Sequence, residues 1–355
     1  MISKRMKVRN LLQLSLAISL VVFASAWRFS HGEKSKVINK TFELDQDDRV
    51  EIHNSFGQVH VSSWDNPNME VEVEIMVSSR YDDRMEDMLE GIQIDFDDRS
   101  DGISMRSEVD LNTKNNEEFE INFTVKMPRS NPLDLKNSFG DVYLDDRSGE
   151  VDIKLNYGDL KAGNLTKGGQ LQLSFGKGDV KSFGQGQIEL KYSDYFSLDE
   201  SRELELDQQY SQVEIGKVNV IDMRSRYGQA DFGEVGKMEL NVHFTDFTIE
   251  LLNGSLDMLA KYASNFSLDK VSKDFNFIDI EGNYGNYHID LEEGLQADFK
   301  AEFKFASMRV LGVDIDYSLR LEENGKESYE ARIGGGHENK RIRITSTYGD
   351  LRMTQ

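Results

Sequence analysis

The sequence predicts an all-β chain: a β-solenoid (β-helix) of 17–22-residue coils with an N-terminal α+β cap and a C-terminal hairpin cap. Three observations predict it. An aromatic residue recurs in one register along most of the chain. The residues before each aromatic alternate apolar and polar. A small or polar turn follows each aromatic.

The recurring phrase reads Phe139-Gly140-Asp141, Tyr157-Gly158-Asp159, Phe175-Gly176-Lys177 and Tyr192-Ser193-Asp194. It continues as Tyr210-Ser211-Gln212, Tyr227-Gly228-Gln229, Phe244-Thr245-Asp246 and Tyr262-Ala263-Ser264. These aromatics stand 17 or 18 residues apart, and the period then loosens to 22 and 21 at Tyr284 and Phe305. Outlying copies stand at Asn54-Ser55-Phe56-Gly57 and Thr347-Tyr348-Gly349-Asp350.

Two, four and six residues before the aromatic, side chains are mostly apolar. Val151, Ile153 and Leu155 precede Tyr157, and Met238, Leu240 and Val242 precede Phe244, with polar residues between them. A period of two marks a strand with one buried face. The aromatic shares the parity of the apolar set, so it is expected to point inward, over the aromatics of neighbouring coils, as an internal ladder. Gly after it allows positive φ, and Asp can bond its own turn backbone. One coil cannot bury its apolar face alone, so stacked neighbours must supply the core. A hexapeptide helix would instead need an apolar residue every sixth position. A twisted antiparallel stack of hairpins fits the alternation equally well.

Four segments are expected: a signal peptide at 1–26, a capping region at 27–130, the repeat array at 131–313 and capping strands at 314–355. Lys4, Arg5, Lys7 and Arg9 precede the apolar run Leu11 to Phe23, and Ala24-Ser25-Ala26 gives a small-x-small cleavage pattern before Trp27. In the capping region, Met69 to Val77 alternates as a strand. Met85, Met88, Leu89 and Ile92 give Tyr81 to Gly91 helical spacing. Near the end, residues 314–333 read as a hairpin with Asn324-Gly325 at its tip, followed by a final strand from Arg341 to Ile344.

A net charge of −22 argues against nucleic acid, whose phosphates need Lys and Arg. No cysteine is present, which excludes disulfides, thiolate nucleophiles and Cys-ligated metal. Stacked carboxylates in the turn column (Asp141, Asp159, Asp194, Asp246) could hold Ca²⁺, but Lys177, Gln212 and Gln229 interrupt them, and solvated turn caps are the expectation. Glu189, Glu205 and Asp207 are acid-pair candidates on an outward face, with nothing to mark a cleft around them. His31, His53, His60, His243, His288 and His337 show no metal-binding spacing. Arg224 and Arg226, with Lys191 and Lys261, form a small basic spot. No catalytic residue and no cofactor are expected.

The phrases Asn137-Ser138-Phe139-Gly140-Asp141-Val142, Leu155-Asn156-Tyr157-Gly158-Asp159-Leu160 and Arg343 to Leu351 resemble the bacterial putative-adhesin family of β-strand-repeat proteins, of unknown function and common in Bacteroidetes-type bacteria. The likeness covers roughly residues 37–355. It implies export and a β-solenoid-like fold, and it brings no catalytic residues. The expectation is an exported, non-enzymatic scaffold or adhesin-like interaction protein of the cell envelope, its partner an unidentified protein or glycan, with no nucleic acid and no membrane span in the mature chain. The alternatives are a carbohydrate-active β-helix enzyme and a Ca²⁺-dependent glycan-binding module.

Overall fold

The computed structural model describes residues 32–114, 116–263 and 265–355; the expected signal segment and His31 lie outside them. Among the described residues the chain is nearly all β, with twenty-four strands in one connected network and one helix. In the array the strands pair in parallel, each residue beside the one 17 or 18 positions on in the earlier layers and 19 to 22 on in the later ones. Val151–Asn156 pairs with Gly169–Ser174, which pairs in turn with the end of the strand Lys177–Lys191. The array is therefore not a stack of antiparallel hairpins.

This register carries like residues onto like. Leu155 lies beside Leu173, and Leu173 beside Leu190. All three are fully buried, while Lys154 between the inward-facing residues is exposed. A second inward column runs from Arg147 through Leu165, Phe183 and Ser201 to Val218. Arg147 heads this column, and only 1 % of it is exposed. Its guanidinium donates to the Asn131 carbonyl (2.6 Å) and the Ser63 hydroxyl (3.4 Å). Burial holds its pKa down at about 10. An arginine here covers the end of a largely apolar column while its planar head reaches the Asn131 backbone and the Ser63 side chain.

The capping region contains the expected helix, Asp82–Glu90, with Met85 and Met88 buried. The strand Asn68–Ser79 runs antiparallel between Gly32–Glu43 and Glu118–Pro128. The strands on either side of Phe56 are already layers of the stack. Arg49–Asn54 pairs in parallel with Leu133–Asn137, and Val59–Trp64 with Val142–Leu144.

At the other end chain order and spatial order part. Arg341–Thr347 lies between Phe277–Asn283 and Ala297–Lys304, parallel to both. Leu351–Thr354 likewise lies between Asn286–Leu291 and Met308–Leu311. The last copy of the repeat is thus inserted between two earlier ones. Beyond them the hairpin Ile315–Glu323 and Lys326–Ile333 folds against Ala297–Lys304. Its tip holds Asn324 and Gly325 at φ 51° and 73°, the positive values a two-residue turn requires.

Tyr287, in the strand Asn286–Leu291, is a buried ring whose hydroxyl fills the space beside Gly282. A Cβ there would sit 1.7 Å from the phenol oxygen. Burial pushes the Tyr287 phenol up to about 12, and Tyr329 is also pushed up to about 12. An unfolded tyrosine ionises near 10, so the stability these groups contribute is complete below about pH 10 and lost as pH rises through about 12. Urea denaturation at stepped alkaline pH should show Tyr287→Phe losing less stability than the wild type across that interval. Equal slopes would mean that Tyr287 ionises freely in the folded chain.

Candidate functional site

The array's most regular surface is built by one backbone feature. Tyr157, Phe175, Tyr192, Tyr210, Tyr227, Phe244, Tyr262, Tyr284, Phe305 and Tyr348 all have φ between 52° and 58°. A left-handed conformation costs an L-residue roughly 1–2 kcal/mol, so its recurrence at one repeat position requires compensation. It also reverses the in–out alternation of the strand. Leu155 is buried, Tyr157 is about half exposed, and Leu160 is buried again. The internal aromatic ladder expected from parity is therefore external. Parity counting assumes extended backbone throughout, and one left-handed residue moves its side chain to the other face.

The compensation is stacking. Twelve rings form one continuous ladder in the order Phe56, Phe139, Tyr157, Phe175, Tyr192, Tyr210, Tyr227, Phe244, Tyr262, Tyr284, Tyr348, Phe305, with neighbouring centroids 4.7–5.4 Å apart. From Tyr157 to Tyr284 successive planes differ by 1–6°, so the rings share a common normal. Each such pair contributes about 0.5–1.5 kcal/mol beyond its buried area, enough to offset the backbone cost. Phe119 closes one end edge-on at 4.9 Å. At the other, the Lys304 ammonium lies 5.6 Å from the Phe305 centroid, and the hairpin tip at Gly325 abuts the same ring. Ring faces are thus covered by other rings, and the ladder shows solvent a row of ring edges and tyrosine hydroxyls.

Behind the rings the chain is tight. A Cβ on Gly158 would stand 2.2 Å from the Gly140 carbonyl, and one on Gly176 1.9 Å from that of Gly158. Where Ser or Thr replaces Gly, the hydroxyl bonds inward. Ser193 donates to the Gly176 carbonyl (2.7 Å) and Thr245 to that of His243 (3.1 Å). Two residues before the ring, buried Gln208 donates to Ser225 (2.7 Å), whose hydroxyl lies 2.8 Å from that of Thr245. Asn137 fills the same position and donates to the carbonyls of Gly57 (3.0 Å) and Gly140 (2.8 Å). The sequence signals these residues by a polar side chain where the apolar series should end.

The aspartate column lies on the outer side of the turn, two residues after the rings. Asp141 accepts from the Asp159 N–H and Asp159 from the Lys177 N–H, both at 2.9 Å; Asp246 accepts from the Asn265 N–H at 3.2 Å. These carboxylates tie each layer to the next. Asp194 stands in the same column and is exposed. Among the described residues no group of three or more His, Asp or Glu converges to hold a metal ion. Between this column and the rings runs a shallow groove of about 420 Å³, lined by Tyr210, Tyr227, Asp194, Gln212 and Gln229 among others.

The remaining candidates are dispersed. Glu189 and Asp207 are register partners on an open sheet face, where Glu189 pairs with Lys191 and Glu205 with Arg224 (3.4 Å). His53 is held below its usual pKa, chiefly by burial and then by Lys136. Arg226 and Lys261 are exposed immediately before their rings, with His243 half-buried between them in the same column. An open groove of about 480 Å³ at the array's start gathers His60, Arg129, Asp145, Asp146, Lys161 and Lys181. Asp146 is held below the usual carboxylate range, mainly by the Asn164 N–H and side chain that it accepts from. The buried Arg147 behind Ser63 had no counterpart among the sequence candidates.

No protein-family profile and no curated protein matches the chain. Solved structures similar to it include a putative cell adhesion protein from Clostridium sporogenes, at 12 % identity, covering 91 % of this chain and all of that one, with a TM-score of 0.21. A putative adhesin from Bacteroides fragilis is 10 % identical, covering 90 % and 97 %, with a TM-score of 0.32. A structure from Parabacteroides distasonis described as a putative lipid binding protein is 8 % identical, covering 90 % and 97 %, with a TM-score of 0.34.

Tyr227 tests the energetics of the ladder. Its ring touches those of Tyr210 and Phe244, at 4.9 and 5.0 Å, and 45 % of the residue is exposed. Tyr227→Ala should cost about 1–3 kcal/mol, the value of two stacking contacts. Tyr227→Gly should cost about 1 kcal/mol less than Tyr227→Ala, because glycine adopts positive φ without strain. Arg226→Ala should cost under about 0.5 kcal/mol. Urea denaturation of the three variants checks the order; a glycine variant less stable than the alanine one would refute the strain-for-stacking account.

Proposed function

We propose that the chain is an exported, non-enzymatic, adhesin-like interaction protein: a β-solenoid scaffold whose working surface is the exposed ring ladder. One observation carries this reading. Eleven rings, from Phe139 to the end of the ladder, are each 45–52 % exposed in one unbroken row. At roughly half of about 200 Å² per ring, the row presents on the order of 1,000 Å² of apolar and phenolic surface. The largest apolar patch on a typical monomer is about 300–600 Å². One partner's share of a standard protein interface is about 800 Å². A row of this size suits a macromolecule better than a small molecule.

The geometry also bears on what kind of contact the row makes. Sugar rings stack on aromatic faces, and here neighbouring rings cover the faces. A partner must lie along the edges, meeting C–H rims and the hydroxyls of seven tyrosines. Against a hydrolase, the outward acids lie on open sheet rather than in a cleft. Against a calcium module, three of the column's carboxylates accept backbone N–H groups. Export rests on the basic, apolar and small-x-small pattern of residues 1–26.

Two measurements test the reading. Replacing Tyr192, Tyr210 and Tyr227 together by Ser, with folding verified by circular dichroism, should abolish binding to immobilised cell-surface extract that the wild type retains. Undiminished binding would place the working surface elsewhere. N-terminal sequencing of protein recovered from its host should begin at or near Trp27, and an intact Met1 on cytoplasmic protein would refute export.

A further inference from the structure

We infer that the ladder's partner is a second copy of this chain, docked side by side about a two-fold axis parallel to the ladder. This rests on the reading of the ladder as an interaction surface. The new observation is how charge is divided across it.

The residue immediately before each ring and the residue two after it flank the ladder on opposite sides, since the chain turns at the ring. The column before the rings holds Lys191, Arg226, His243, Lys261 and Lys304, and no carboxylate at any of its twelve positions. In a chain with 64 acidic residues and 42 basic ones, that is a marked exclusion. The column after the rings holds Asp141, Asp159, Asp194, Asp246 and Asp350, with Lys177 as its one cation. Four of these aspartates bond a backbone N–H of the adjoining layer through one oxygen, which fixes the column's position and leaves its negative charge in place. Lys191 pairs with Glu189 on its own strand; Arg226 and Lys261 are exposed.

A surface that is positive on one side of a line and negative on the other has a defined self-complement. Rotating a copy by half a turn about an axis along the line brings the rows face to face and sets each positive column against the partner's negative one. A two-fold across the line would instead oppose like charges. Layers stay in register in the favoured arrangement, so Lys191 faces the partner's Asp194 and His243 faces the partner's Asp246. Such an interface is isologous and closes at two subunits. Twelve layers at about 4.8 Å give a contact on the order of 50 Å long. The common ring normal means that the two rows can touch along that length. The pair would exceed the roughly 1,000 Å² of total buried area that a specific interface needs.

Sedimentation velocity of the purified chain between about 1 and 100 μM tests this, with reversal variants on each flank. The first carries Lys191→Glu, Gln209→Glu and Arg226→Glu; the second carries Asp194→Lys, Gln212→Lys and Gln229→Lys. Arg226, Asp194, Gln212 and Gln229 are exposed and Lys191 and Gln209 half-buried, and circular dichroism verifies the fold. The wild type should dimerise, each variant alone should associate about tenfold or more weakly, and an equimolar mixture should regain the dimer, because charge pairing governs close interfacial contacts. A wild type monomeric throughout overturns the proposal, as does a dimer unmoved by reversal or a mixture that stays monomeric. If the wild type is monomeric while the triple-serine variant still loses surface binding, self-association falls and the interaction surface stands.

Discussion

Parallel, in-register stacking at strand spacing is the constraint from which the rest follows. Once each residue lies beside the one 17 or 18 positions on, a side chain meets the same repeat position in the layers above and below, and like tends to face like. Apolar columns satisfy this at no cost. A polar column must bond along its own length, as Gln208, Ser225 and Thr245 do inside and Asp141 and Asp159 do outside. An aromatic column becomes a continuous stack, and the energy of that stack lets ten residues keep a backbone conformation that each would avoid alone.

The repeat, its period, the helix and the hairpin tip were legible because each depends on local pattern. Alternation in Val151, Ile153 and Leu155 needs no knowledge of the neighbour, and Asn324-Gly325 encodes its turn directly. The direction of Tyr157 was not legible. Its parity is set by a φ value that non-glycine residues seldom adopt, and the force favouring that value comes from Phe139 and Phe175, 18 residues away on either side. The Asp141 and Asp159 turn positions were readable as turn chemistry, whereas their role in tying one layer to the next needed the register. Arg147 was not legible either: in the sequence it is one charged residue among many, and only the pairing with Leu165 shows that it occupies a core column.

The same repetition shapes what the surface can do. A site made of unlike groups converging on a point is hard to build where every layer repeats the last. Among the described residues the acids and histidines are spread along faces, with no metal-binding group formed from them. Repetition instead yields lines: a line of ring edges, a line of carboxylates, a line of cations. Lines suit extended partners, and the contact grows with the number of layers without any single residue being decisive.

The interleaved ending has a consequence for how the molecule forms. Arg341–Thr347 lies between strands that precede it by 64 and 43 residues at their paired positions, Asp279 with Arg343 and Lys304 with Thr347 setting the register. The layers of Tyr284 and Phe305 therefore cannot join by simple winding. In the native order they meet only through residues 341–354, which fill the gap between them. Layers from Leu133 to Tyr262 can close one upon another as they emerge, by contacts of short sequence separation, while the first layer, 83 residues from its partner, and this end each wait for a long-range loop closure. Assembly then spreads from the middle of the array, with the slow closures confined to its two ends.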